Sequence, residues 1–228
     1  MTFRTRIAID PTSRSAMPYL TNPHRLHGAI MKMFSPAPHG QAGEQRVLWR
    51  IDSFATSTWL YVVSTEEPAT EVFHKEAGLG HLVPESQDYS RILNQVKPGG
   101  IYGFRLTANT MKAAVDLGSP NSKRPELTRG KRVPIIHDDQ KIQWLQRQGE
   151  SHGFSILESS EHGPMVRIGP SGNRKFKRNH STVTLHSTQF DGTLRVDDVD
   201  ALRAAMVSGI GRGKAYGLGL LSLTPASA

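Results

Sequence analysis

Two short stretches carry residues able to do chemistry on a phosphate. In the first, His24 and His27 stand three apart, just after Asn22-Pro23. That dipeptide fits a helix N-cap followed by proline at the first helical position, so the pair falls on the opening of a helix. An imidazole titrates near neutral pH, and a helix start favours an anion. The residues suit proton transfer beside a phosphate, and equally two solvated side chains at an exposed helix end. As metal ligands they are incomplete, since no third ligand has a fixed spacing. In the second stretch, Ser208-Gly209-Ile210-Gly211-Arg212-Gly213-Lys214-Ala215-Tyr216-Gly217-Leu218-Gly219-Leu220-Leu221, five glycines fall within eleven residues, with Arg212 and Lys214 among them. Such a backbone turns freely, approaches a ligand closely and presents N–H groups beside cations.

Neither common nucleotide motif accounts for this loop. A Walker loop needs Ser or Thr after Gly-Lys, and Gly213-Lys214 is followed by Ala215. A dinucleotide fingerprint needs a strand before its glycines and a helix after them. Here residues 198–207 read as a helix and residues 218–223 as a closing strand, the reverse order.

A third stretch, Arg174-Lys175-Phe176-Lys177-Arg178, places four cations in five positions. It sits between Met165-Val166-Arg167-Ile168 and Thr182-Val183-Thr184-Leu185, so a basic hairpin arm is expected. An arm of this kind can track the phosphates of a nucleic-acid helix. Arg124, Arg129, Lys131 and Arg132 add charge in a polar segment that fits a solvated loop or a further contact.

The composition agrees. The 228 residues carry 28 Lys and Arg against 20 Asp and Glu, a net charge of +8. Such a balance favours a polyanionic partner. With no cysteine, disulfides, thiolate metal sites and cysteine nucleophiles are excluded. No run approaches the roughly 20 apolar residues of a membrane span, and Met1-Thr2-Phe3-Arg4 lacks the apolar core of a signal peptide. A cytoplasmic protein with no membrane contact is expected.

The elements that must position these residues follow from periodicity. Phe3, Thr5, Ile7 and Ile9 alternate with polar residues as in a half-buried strand. Leu26, Ala29, Ile30, Met33 and Phe34 recur at helical spacing behind the histidines, and Ser35-Pro36 closes that helix. Residues 45–52 read as a strand with Val47, Trp49 and Ile51 on one face and Arg46 and Arg50 on the other. Residues 59–64 form its neighbour, residues 68–78 a short helix, and residues 83–96 fit either state. The order strand, helix, strand, strand, helix, strand is that of a ferredoxin-like unit. Lys97-Pro98-Gly99-Gly100 marks a turn and the domain boundary, giving domains at 1–96 and 97–228. Beyond it, residues 101–109 read as a strand, Asp138 as the cap of a helix bearing Trp144 and Leu145, and residues 154–157 and 164–168 as strands. Asp191-Gly192 predicts a tight turn between two more strands. Asp197 or Asp198 caps the last helix, which bears Val199, Leu202, Ala205 and Met206.

A glycine-rich loop between last helix and last strand resembles the signature of the RAMP proteins of CRISPR systems. The run Gly209-Ile210-Gly211-x-Gly213-Lys214-Ala215-x-Gly217-Leu218-Gly219-Leu220-Leu221-Ser222-Leu223 is similar to the C-terminus of the CasE family, the CRISPR RNA-processing endoribonucleases of type I-E Cascade. Phe104-Arg105-Leu106-Thr107-Ala108-Asn109, Lys131-Arg132-Val133-Pro134 and Gln143-Trp144-Leu145 resemble the same family. The resemblance implies an α+β fold of two tandem ferredoxin-like (RRM-like) domains, the second with the basic hairpin arm. It implies a metal-independent endoribonuclease that binds CRISPR repeat stem-loops and cleaves at the 3′ base of the stem by 2′-hydroxyl attack, without a cofactor, in company with Cascade subunits. His27 falls in the catalytic position, and His24 stands where relatives often carry Tyr. Some relatives place a Lys five residues after the His, here Lys32; a five-residue step rotates by about 140°, so Lys32 points away unless its stem bends round. RNA contacts are expected from Arg174, Lys175, Lys177, Arg178, Gly209, Gly211, Arg212, Gly213, Lys214 and Gly217. A non-catalytic RNA-binding RAMP subunit is the alternative, and a basic RNA-associated protein outside CRISPR a further one.

Overall fold

A computed structural model of the chain describes residues 1–35, 47–77, 83–114 and 132–225. Pro36, Arg46, Arg124, Arg129 and Lys131, and the readings placed on them, lie outside the described residues.

The first unit comprises β1 (Phe3–Ile9), α1 (Met17–Thr21), α2 (Pro23–Met31), β2 (Leu48–Ser53), β3 (Thr58–Ser64), α3 (Thr70–Ala77), β4 (Glu85–Asp88) and α4 (Ser90–Leu93). Its sheet has the order β2-β3-β1-β4, every pair antiparallel, the strand order of a ferredoxin-like fold. Asn22 caps α2 as expected: its side chain accepts from the N–H groups of His24 at 3.0 Å and Arg25 at 3.4 Å, and Pro23 follows where no donor is needed. Leu26, Ala29, Ile30 and Met33 are buried against Ile7, Ile9, Leu60, Val62 and Phe73, which fixes α2 on one face of the sheet. The stretch at 83–96 resolves into β4 and α4. Its strand is hard to read from sequence because Glu85-Ser86-Gln87-Asp88 is a mostly exposed edge with no apolar alternation.

The second unit comprises β5 (Ile101–Ala108), β6 (Met111–Ala113), β7 (Arg132–Pro134), α5 (Asp138–His152), β8 (Phe154–Ile156), β9 (Glu158–Ser159), β10 (Gly163–Pro164), β11 (Val166–Arg178), β12 (Ser181–Val196), α6 (Val199–Ser208) and β13 (Leu221–Pro225). The main sheet runs β11-β12-β5-β13, with β8 alongside the far end of β12. Taken in chain order, β5, α5, β8, β12, α6 and β13 make a second ferredoxin-like unit. The chain therefore consists of tandem ferredoxin-like domains. β11 and β12 run past this sheet as a hairpin, paired out to Arg178 and Ser181. Asn179, at φ 51°, turns it, as a residue type that tolerates the left-handed region.

Three readings of the sequence are corrected. Asp191-Gly192 is no turn: β12 continues through it, because Gly192 pairs with Val166 on one side and Phe104 on the other. Its glycine serves close packing, since a Cβ there would sit 2.4 Å from the carbonyl oxygen of Met165. Asp138 is the first residue of α5, whose N-cap is His137; its carboxylate meets Lys141 Nζ at 2.9 Å. The closing strand starts at Leu221, three residues later than expected, because Leu218–Leu220 still belong to the loop.

Burial on β2 was only half legible. Trp49 faces α2, while Leu48, Arg50 and Asp52 on the opposite face are buried too. Arg50 is 3% exposed. It forks onto Asp52 at 2.7 and 2.9 Å, then donates to the carbonyls of Leu220 at 2.7 Å and Arg105 at 3.2 Å and to Ser222 Oγ at 3.1 Å. One guanidinium thus joins β2 of the first unit to β5 and β13 of the second, with all of its charge compensated in place.

Candidate active site

The site is assembled where α2, the glycine loop and the arm converge. α6 starts at Asp198, whose carboxylate accepts from the N–H groups of Asp200 at 2.9 Å and Ala201 at 3.0 Å, and ends at Gly209. The loop beyond is pinned at its base. Ile210 N–H donates to the Gly219 carbonyl at 2.8 Å, and Gly219 N–H to that of Thr107 at 2.7 Å. A single 3-10 turn, Lys214–Tyr216, then brings the chain back. Gly217 must be glycine: its φ is 80°, and a Cβ would lie 2.5 Å from the Trp49 ring.

At the loop's tip the backbone is arranged for an anion. Gly211 and Gly213 have φ of 76° and 83° on either side of Arg212. Alternating hand points successive N–H groups into one concavity. Among the described residues, the N–H groups of Gly211, Arg212 and Gly213 have no hydrogen-bond acceptor. These residues, with Lys214 and Ala215, form one wall of a cavity of about 570 Å³ whose other wall is His27, Met31, Val47 and Leu48. The distant glycine loop and the opening helix therefore meet.

His27 is half-buried, and its Nδ1 is enclosed with no hydrogen-bond partner, which leaves Nε2 as the nitrogen available to a ligand. Burial, and after it the neighbouring charge of His24, holds its pKa below the ordinary imidazole value. At neutral pH the ring is an uncharged base facing three unpaired amides and the Arg212 and Lys214 segment. His24 sits one turn nearer the helix start, half-buried and outside that cavity wall.

The remaining site residues divide. Lys32, at the C-cap of α2, pairs with Glu76 at 2.6 Å, and Glu76 also accepts from the Tyr19 hydroxyl at 3.3 Å. It lines a separate cavity with Tyr19 and Arg25 and does not reach the His27 cavity, as its rotation about the helix implies. Gly209 and Gly217 are buried packing positions, Gly209 against Leu48 and Gly217 against Trp49. Arg174, Lys175, Lys177 and Arg178 are all exposed along the arm.

Sequence reading missed what holds the arm. Phe176, alone among those cations, is 6% exposed and packs on Tyr216 of the loop with ring centroids 4.9 Å apart. Asn22 Nδ2 also lies 3.5 Å from the Lys177 carbonyl, a long contact between α2 and β11. A lone aromatic amid four cations was the available signal.

Two absences describe the rest of the surface. Among the described residues, no three His, Asp or Glu side chains are grouped to hold a metal ion. Nor is any helix among them long and apolar enough to cross a membrane.

The family model for "CRISPR associated protein" matches residues 2–225. The chain belongs to the CasE family of these proteins. It is 31% identical to the CRISPR-associated endoribonuclease Cse3 of Thermus thermophilus over 97% of this chain and 99% of the relative. A shorter match, 32% identical over 58% of the chain and 61% of the relative, is to the CRISPR system Cascade subunit CasE of Escherichia coli K12. Among solved structures, Thermus thermophilus Cse3 bound to an RNA representing a pre-cleavage complex superimposes with a TM-score of 0.78 at 29% identity, covering 98% of this chain and 99% of that one. Within the CasE frame, the cavity between α2 and the glycine loop is the place where this chain gathers an imidazole and free amide donors.

Proposed function

We propose that this CasE family chain is a metal-independent endoribonuclease that binds the stem-loop of a CRISPR repeat and cuts at the 3′ base of the stem, releasing guide RNA. Residues 1–96 supply the histidines, and residues 97–228 supply the arm and the loop. The observation that carries the reading is the single cavity shared by His27 and the unpaired N–H groups of Gly211, Arg212 and Gly213.

RNA brings its own nucleophile, the 2′-hydroxyl beside the scissile phosphate. His27 Nε2 removes that proton, O2′ attacks phosphorus, and the P–O5′ bond breaks. Negative charge gathered on the phosphorane is met by the three amides and by Arg212, donors already in place before reaction. The leaving O5′ takes up a proton from water, and His24, one helical turn from His27 and outside the cavity wall, orients the nucleotide. Products are a 2′,3′-cyclic phosphate, or the 3′-phosphate from its hydrolysis, and a 5′-hydroxyl. The exposed cations of the arm hold the stem through its phosphates. A relative of this chain is named as a Cascade subunit, and retention of the product within such a complex fits a binding surface larger than the catalytic cavity.

The test is incubation of the protein with its own repeat hairpin in EDTA, with products sized to the nucleotide and their termini identified. Cleavage at one position, leaving a cyclic or 3′-phosphate, is the expected result. Tight binding without any cleavage would make the chain an RNA-binding RAMP subunit instead.

A further inference from the structure

A second cavity, of about 470 Å³, opens on the other side of the loop and has no part in the mechanism above. It lies beneath the root of the arm, where β11 crosses from the second unit toward the first. Tyr19, Pro23 and Leu26 line it from the first helices, Trp49 from β2, Gly172 and Arg174 from the arm. Tyr216 and Gly217 carry the wall to the glycine loop. The two cavities therefore share α2 and adjoining residues of one loop, with Lys214 and Ala215 on the His27 side and Tyr216 on this one.

The size falls within the range of small-molecule sites, about 300–1,000 Å³. The half-buried rings of Tyr19 and Tyr216 stand at its wall with hydroxyls and amides, the combination that receives an unstacked base, while Trp49, 3% exposed beneath Gly217, is its floor. Gln189 donates through Nε2 to Asp191 at 2.8 Å and keeps Oε1 unpartnered among the described residues, an acceptor for an exocyclic amine. Arg174 lies at the same wall with an exposed guanidinium suited to the phosphate of that nucleotide.

We propose that this cavity takes one unpaired nucleotide of the RNA, adjacent to the scissile phosphate, with its base turned out of the stack. The inference rests on the nuclease reading, because only a phosphate held by the glycine loop puts a neighbouring base at this opening.

Gly172 provides the means to close it. A Cβ there meets nothing within 4 Å, so a larger side chain enters open space without strain. The experiment uses repeat hairpins carrying 2-aminopurine at single unpaired positions on either side of the cut, with hairpin affinity followed separately by anisotropy. A fluorescence change on binding is expected at one position and not at its neighbours. Gly172→Leu should abolish that change and weaken binding roughly tenfold, the scale of one base–aromatic stack. Gln189→Ala, a smaller change, should alter the preference for one base at that position alone. Unchanged fluorescence at every position while the hairpin binds tightly overturns the pocket and leaves the nuclease reading standing. A protein that does not bind the hairpin overturns both.

Discussion

Phe176 of the basic arm rests on Tyr216 of the glycine loop, ring centroids 4.9 Å apart and planes at 57°. Through this contact a surface hairpin is fixed against the loop that forms the His27 cavity. Phe176→Ala removes a buried ring and is expected to cost less than the roughly 3–5 kcal/mol of a core phenylalanine, because the arm can loosen in place of leaving a cavity. The distinguishing measurement is single-turnover cleavage at saturating RNA: a freed arm slows cleavage as well as weakening binding, whereas a tether without functional consequence leaves the rate constant at its original value.

Replacing His27 by Ala is expected to lower the cleavage rate about 10²–10⁴-fold while hairpin affinity stays nearly constant. Equal losses in rate and affinity would make His27 a binding or structural residue. Because burial and His24 lower its pKa, the wild-type single-turnover rate should rise with pH, through a midpoint below about 6.5, and then level off.

Burial also lowers the pKa of His74 and His186. For each of the three histidines the unfolded chain, titrating near 6.5, binds a proton before the native one does. Stability is therefore full above about pH 6.5 and falls as pH drops toward the native pKa values. Chemical denaturation at pH values on either side of about 6.5, the unfolded imidazole value, checks the sign. A midpoint that moved to higher denaturant on acidification would refute it.

Arg50 is the bond between the two sheets. Arg50→Met leaves Asp52, 5% exposed, with Arg105 Nη1 at 3.6 Å in place of its forked partner and is expected to destabilise by up to about 3–5 kcal/mol. Adding Asp52→Leu should recover part of that loss, because the second change removes the under-compensated charge. A thermal melt of the single and double variants reads both.

Neutralising Arg174, Lys175, Lys177 and Arg178 is expected to weaken hairpin binding and flatten the dependence of log affinity on log salt by about 0.7–0.9 for each phosphate that no longer meets a cation. An unaltered slope would take the arm out of the interface.

Much of this protein was legible in one dimension. Periodicity gave the alternation of Thr5, Ile7 and Ile9 and the apolar stripe of Leu26, Ala29, Ile30 and Met33, because those patterns record which face of an element is buried. Asn22-Pro23 gave the start of α2, because a cap is local chemistry. What escaped was set by partners far along the chain. Gly192 looked like a turn until strands on both sides of it were in place. Arg50 showed in the sequence only as a cation on the face opposite Trp49, and the docking of β5 and the end of the glycine loop supplied the carbonyls that bury it. Sequence alone determined which groups could do chemistry: an imidazole at a helix start, a glycine loop, a run of cations. Tertiary structure decided that His27 and Gly211, 184 positions apart, close to the width of one cavity, and that Lys32, five residues from His27, faces another, because rotation about a helix separates near neighbours while sheet packing joins distant ones.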